Sequence, residues 1–84
     1  MADTFQIEIA TPEKLVLNER AESAQIPGKD GYLGILPGHA ALLSELGEGI
    51  LSVAAGGQTK SFTISGGYVE IRDNHVRVLA DSAE

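Results

Sequence analysis

The sequence predicts an all-β fold, a compact sandwich or flattened barrel of many short strands, and three observations carry that prediction. Apolar and polar residues alternate with a period of two in several segments, most cleanly in Phe5-Gln6-Ile7-Glu8-Ile9-Ala10. Turn-forming Gly, Pro, Asn and Asp recur at short intervals between those segments. Aromatic residues make up only 5% of the chain, so the core has to be built mainly from Ile, Leu and Val, and the β-branched members of that set favour strands.

The elements follow in order. Phe5, Ile7 and Ile9 give the first strand one buried face, and Thr11-Pro12-Glu13-Lys14 turns it. Leu15 and Leu17 begin a second strand around Val16, and Ala24 through Pro27 form a third that ends in the loop Gly28-Lys29-Asp30-Gly31. Leu33 and Ile35 share a face of the next. Gly47-Glu48-Gly49 precedes a strand from Ile50 to Ala54, and Ala55-Gly56-Gly57-Gln58 reads as a hairpin tip leading into Thr59 to Ser65. There Phe62 and Ile64 point one way, Thr63 and Ser65 the other. A Gly66-Gly67 break, a strand from Tyr68 to Arg72, the turn Asp73-Asn74 and a last alternating strand from His75 to Asp81 complete the chain.

One segment carries a competing signal. His39, Leu42, Leu43 and Leu46 fall at i, i+3, i+4 and i+7, a helical stripe rich in good helix formers. The span between Gly38 and Gly47 gives only about two turns, shorter than an isolated helix tolerates, so tertiary packing decides. We read it as a strand, leaning on the resemblance described below.

Length and charge bound the function. The 84 residues make a single domain, 1–84, and a chain of this size buries only roughly 60 to 65% of its unfolded surface. No cysteine is present, which excludes disulfides and thiolate metal sites and fits a reducing compartment. The net charge is −6, and the basic residues Lys14, Arg20, Lys29, Lys60, Arg72 and Arg77 are scattered along the chain, which argues against nucleic acid as a partner. No apolar stretch approaches the roughly 18 residues of a membrane span, and Met1-Ala2-Asp3-Thr4 lacks the basic region and apolar core of a signal peptide. The chain reads as cytosolic, with attachment to a membrane complex through another protein still open.

Fragments that suggest chemistry fail on spacing or context. Gly56-Gly57-Gln58-Thr59-Lys60-Ser61 is like a phosphate loop, but Thr59 stands where glycine is required and strand signals follow where a helix amino-terminus is needed. Ser65 precedes Gly66-Gly67, yet the nucleophile elbow needs glycine at position 63, which is Thr63. His39 and His75 are the only histidines, and no Asp or Glu stands at a diagnostic spacing from either. Two histidines without cysteine, and carboxylates spread singly, offer neither a zinc nor a calcium pattern. The glycines from Gly28 to Gly38 have the wrong spacing for a dinucleotide fingerprint. No catalytic, cofactor-binding or metal-binding residue is therefore assigned. An alternative class, a small acidic β carrier or ligand-binding module, rests on Lys60 near a hairpin tip, but its neighbours Thr59 and Ser61 are not those of a modified lysine.

The run Gly31-Tyr32-Leu33-Gly34-Ile35-Leu36-Pro37-Gly38-His39-Ala40 is the most specific part of the chain. It resembles a run of the form G-x-L-G-I-L-P-G-H-A in the amino-terminal β-sandwich of F-type ATP synthase epsilon subunits. The resemblance extends over essentially the whole chain, through Ile7 and Ile9, Leu42-Leu43, Gly47 and Gly49, Ser65-Gly66-Gly67, and Val76-Arg77-Val78-Leu79-Ala80-Asp81. It implies a β-sandwich of about ten short strands and a non-catalytic rotor subunit of the central stalk, which couples the gamma subunit to the ring of c subunits. The implied place is the cytoplasmic face of the bacterial plasma membrane, held there only through the complex, with no homo-oligomer required.

Carried over by position, Thr11, Gly38, His39, Ala40, Ser44, Ser65 and Gly66 match the side that faces gamma, and Gly28, Lys29, Asp30, Gly31 and Tyr32 match the loop that faces the ring. A solvated turn explains that loop about as well. For the glycines and Pro37, backbone geometry is the better explanation than direct contact. Many family members carry an acidic residue where Tyr32 stands and a proline where Ala41 stands, so the ring contact here is expected to be more aromatic and the corner after His39 less rigid. Typical members continue into a two-helix carboxy-terminal domain that can restrain ATP hydrolysis, and that domain is absent from these 84 residues, through truncation or as a short form.

Overall fold

Alternation decides which side chains are buried. A computed structural model of the protein describes residues 3–84; Met1 and Ala2, which open the segment read above as lacking a signal peptide, lie outside the described residues. Eight strands form: β1 (Phe5–Ala10), β2 (Leu15–Ala21), β3 (Ser23–Gly28), β4 (Gly31–Ile35), β5 (Leu42–Glu45), β6 (Glu48–Ala55), β7 (Gln58–Arg72) and β8 (His75–Ala83). Phe5, Ile7 and Ile9 of β1, Val69 and Ile71 of β7, and Val76, Val78 and Ala80 of β8 all point inward. They meet Ala24 and Ile26, Ile35, and Leu51 and Val53 of the opposing strands in one apolar core. No polar or charged side chain among the described residues is buried.

The all-β expectation holds, including the strand reading of the segment with a helical stripe, where Leu42–Glu45 lies along β7. Leu42 packs against the core while Leu43 faces out, and the alternation continues through Ser44 and Glu45 with the period of two of a strand. The strand count is eight where about ten were expected. The Gly66-Gly67 break is the main reason, because it proves to be a bend inside one 15-residue strand.

Hydrogen-bonded order is β2-β1-β8-β7-β6-β3-β4, with β5 also on β7, so a single sheet folds over on itself. All pairings are antiparallel except β1 with β8. The strand β7 serves both halves. Its first part, Gln58 to Ser65, pairs with β6, and its second part, Tyr68 to Ile71, pairs with β5. Gly66 and Gly67 between them have φ of 65° and 107°, which side chains rarely adopt. A Cβ on Gly67 would run into the Leu79 carbonyl oxygen of β8. The partner strand changes direction at the same level, where Leu46 donates its N–H to the Gly67 carbonyl at 2.9 Å and Gly66 donates to Gly47 at 3.3 Å.

Gly67→Ala is expected to lose at least about 2 kcal/mol of stability, from clash and backbone strain together. Gly57→Ala keeps the strain of its φ of 78° but meets open space, so it should cost about 1 kcal/mol. Urea unfolding of the two variants checks the order.

Candidate functional site

Two surface features stand out once the strands are in place, and neither contains a catalytic arrangement. The first is the tip of the β3–β4 hairpin. Gly28 pairs with Gly31, leaving Lys29 and Asp30 as a two-residue loop. All five residues expected to face the ring therefore lie together. The loop is tied down from the end of β5 and the segment that follows it: Lys29 donates its N–H to the Glu45 carbonyl at 3.0 Å, and Gly47 donates to Pro27 at 2.9 Å. The Lys29 Nζ also sits 3.1 Å from Glu45 Oε2. Hydrogen bonding and charge from Glu45 together raise the lysine pKa above its ordinary 10.5.

The second feature is a row across the outer face of the β2-β1-β8-β7 half. Register aligns Leu15 with Ala10, Ala10 with Leu79, and Leu79 with Tyr68. Leu15, Leu79 and Tyr68 are 55%, 53% and 54% exposed, so large apolar groups from three strands form one band open to solvent. A slip in register at Ile9/Ala10 brings Leu15, not Val16, opposite Ala10 and onto this face. An open depression of about 420 Å³ separates the band from the hairpin tip, lined by Lys29, Glu45, Tyr68, Leu79 and Asp81.

The residues expected to face gamma do not form one cluster. Thr11 lies beside Leu79 and Asp81, and Gly66 abuts the Asp81 side chain next to Ser65, so these three lie along one flank of the band. Gly38, His39 and Ala40 lie toward the opposite flank, where Gly38 donates its N–H to Asn74 Oδ1 at 2.8 Å in the β7–β8 turn. His39 Nδ1 is 2.7 Å from the Ala40 carbonyl oxygen, within its own loop. Ser44 stands between on β5, opposite the buried Val69, and faces inward at the sheet edge.

Sequence reasoning did not single out Tyr68, Leu79 or Leu15 as surface residues. The signal was there in the phase: Tyr68 and Leu79 are large apolar groups at the outward positions of strands whose inward positions are already apolar.

The fragments that suggested chemistry are resolved by geometry. Gly56 and Gly57, with φ of 58° and 78°, make the two-residue turn between β6 and β7, and a strand follows. Lys60 lies in β7 with its Nζ 2.6 Å from Glu19 Oε1, not free at the tip. His75 Nε2 approaches Glu8 Oε1 to 2.6 Å through the parallel β1–β8 pairing, a contact no local spacing announces. The depression beside it is lined by Glu70, Arg72, Asp73 and Arg77, and no hydroxyl lines it to act as a nucleophile. Among the described residues, no three metal-ligating side chains come together, and no helix is long and apolar enough to cross a membrane.

An apolar core without a buried polar group, an exposed apolar band and a pinned hairpin tip define a β-sandwich built to present surfaces. The chain belongs to the family of the ATP synthase delta/epsilon chain β-sandwich domain, whose model matches residues 4–84. It is 52% identical over 84 residues to the ATP synthase epsilon chain of Koribacter versatilis (strain Ellin345), and 48% identical to that of Solibacter usitatus (strain Ellin6076). Those alignments cover all of this chain but 59% and 63% of the two relatives, so the chain spans about three fifths of their length. Among solved structures, a chain of the Euglena gracilis mitochondrial ATP synthase OSCP/F1/c-ring assembly superposes with a TM-score of 0.92 at 25% identity, over 100% of this chain and 54% of that one. A chain of the Tetrahymena thermophila mitochondrial ATP synthase central stalk and c-ring shares the fold, with a TM-score of 0.80 at 21% identity over 94% of this chain and 64% of that one.

Because the Lys29 pKa is raised in the folded chain by Glu45, the ion pair stabilises the fold below the ordinary lysine range wherever the Glu45 carboxylate is ionised. That contribution disappears as pH rises through the raised value. Glu45→Gln should bring the Lys29 titration back down toward 10.5, as followed by NMR of the lysine side chain.

Proposed function

We propose that this chain is the β-sandwich of a non-catalytic rotor subunit in the central stalk of an F-type proton-translocating ATP synthase. The family match over residues 4–84 carries the reading. The sandwich binds the gamma subunit on one side and the ring of c subunits at the β3–β4 tip, and passes rotation between them without chemistry of its own. It requires neither a cofactor nor a second copy. It sits at the cytoplasmic face of the bacterial plasma membrane, attached only through the complex.

The two surface features support this division of labour. The band of Leu15, Ala10, Leu79 and Tyr68 offers apolar area of the kind that is buried at the centre of a protein interface. Thr11, Ser65 and Gly66 adjoin it, which is why we assign the gamma contact to this outer face, with Leu79 at its middle. The polar tip Lys29-Asp30 matches a contact with polar loops.

Purified chain mixed with gamma is expected to give a one-to-one complex. Leu79→Asp should weaken that complex by at least about ten-fold, as for a central interface residue, with the unfolding midpoint unchanged because the side chain is exposed. Absence of any complex with gamma, together with full proton-coupled ATP synthesis in membranes lacking the chain, would sink the proposal.

A further inference from the structure

The strands β3 and β6 pair only between Ser23–Gln25 and Ser52–Ala54, and beyond that they part. Where they part, β3 reaches Pro27, which has no N–H, and its carbonyl is already taken by Gly47. The N–H of Ile50 on β6 therefore faces β3 with no ladder partner. Tyr32 supplies one: its hydroxyl oxygen accepts the Ile50 N–H at 3.0 Å, across eighteen positions of sequence. The ring lies over Gly49, where a Cβ would meet the Tyr32 hydroxyl and would stand 3.2 Å from its Cζ and 3.0 Å from Pro27 Cβ. The missing side chain of Gly49 thus leaves the space into which the aromatic ring fits.

We infer that Tyr32 is a positioning residue that fixes the orientation of the Gly28–Gly31 tip. It works as one leg of a bracket. The tip is held at its far end by Lys29 and Pro27 against Glu45 and Gly47, and at its near end by Tyr32 against Gly49 and Ile50. Both legs reach the same short segment, residues 45–50. The side chain at position 32 is therefore engaged within the domain, although 56% of it remains open to solvent. The side chain thus has a role inside the domain besides the more aromatic ring contact expected of it. What the tip meets rests on the proposed function; how the tip is held does not.

Hydrogen exchange on the 84-residue chain tests the bracket directly. In Tyr32→Phe the Ile50 amide should exchange about ten-fold faster, the equivalent of one hydrogen bond, while the core amides of Val69 and Ile71 keep their protection. Gly49→Ala should evict the ring and release both Ile50 and Lys29. Unchanged exchange at Ile50 in Tyr32→Phe overturns the inference.

The second measurement uses the assembled ATP synthase carrying each variant and compares proton pumping with ATP hydrolysis. Loss of pumping per ATP in Tyr32→Phe, with gamma binding intact, is the expected result. Full pumping in Tyr32→Phe with loss only in Tyr32→Ala overturns the positioning role in favour of direct contact through the ring face. Failure of wild-type chain to join the complex defeats the proposed function, and exchange at Ile50 alone then decides the role of Tyr32.

Discussion

The bend at Gly66-Gly67 is the constraint on which the rest depends. Fifteen residues of straight strand would extend roughly 50 Å at the usual rise, whereas the longest dimension of the molecule is 33 Å. The strand β7 can exist at this length only if it turns, and it turns where two successive residues have positive φ. The partner segment turns with it at Leu46 and Gly47. Both strands of one long hairpin, from Leu42 to Arg72, therefore pass from one half of the sandwich to the other together. Glycine is needed at the crossing for a second reason: β8 lies against Gly67, and the Gly28 carbonyl lies 2.8 Å from where a Cβ of Gly47 would be.

The bend also sets what the surface can offer. It places Tyr68 at the start of the second half of β7, beside Leu79 of β8, and so begins the apolar band. On the other strand it leaves residues 45–50 with β7 on one edge and no regular ladder on the edge that faces β3, and the β3–β4 tip fills that position through Lys29, Pro27 and Tyr32. Tip and band are thus two consequences of one corner, separated only by the depression that Lys29, Glu45, Tyr68 and Leu79 line.

How much of this was legible beforehand follows from the range of each interaction. Alternation in Phe5–Ala10 and His75–Asp81, the turns at Gly56-Gly57 and Asp73-Asn74, and the loop at Gly28–Gly31 are local, and the sequence displays them. Gly66-Gly67 was legible as an interruption but not as a bend, because only the ladders on both sides of β7 keep the strand continuous there. The His75–Glu8 contact and the Leu15–Ala10–Leu79–Tyr68 row depend on a parallel pairing between the first and last strands, which no window of sequence contains. The Tyr32–Ile50 bond was hidden for a related reason. Its cause is a missing partner on β6, and that absence exists only once β3 and β6 have parted.

Glycine at a corner commonly suggests a hinge, and here the surroundings argue the reverse. Gly66 and Gly67 bond through their own N–H and carbonyl to Gly47 and Leu46 on one side. On the other side β8 pairs with the flanking residues Ser65 and Tyr68. Opening the corner would break bonds on both edges of β7 at once and pull Val69 and Ile64 out of a core that has no buried polar group to re-form contacts around. The freedom that glycine brings is what lets these two residues reach positive φ, and the bonds on both edges hold them there. A load applied at the tip enters residues 45–50, crosses to β7 at a fixed corner, and reaches Leu79 through the core as a whole. The corner thus ties the two faces together through bonds on both edges of β7, which is what the proposed role in passing rotation between partners requires.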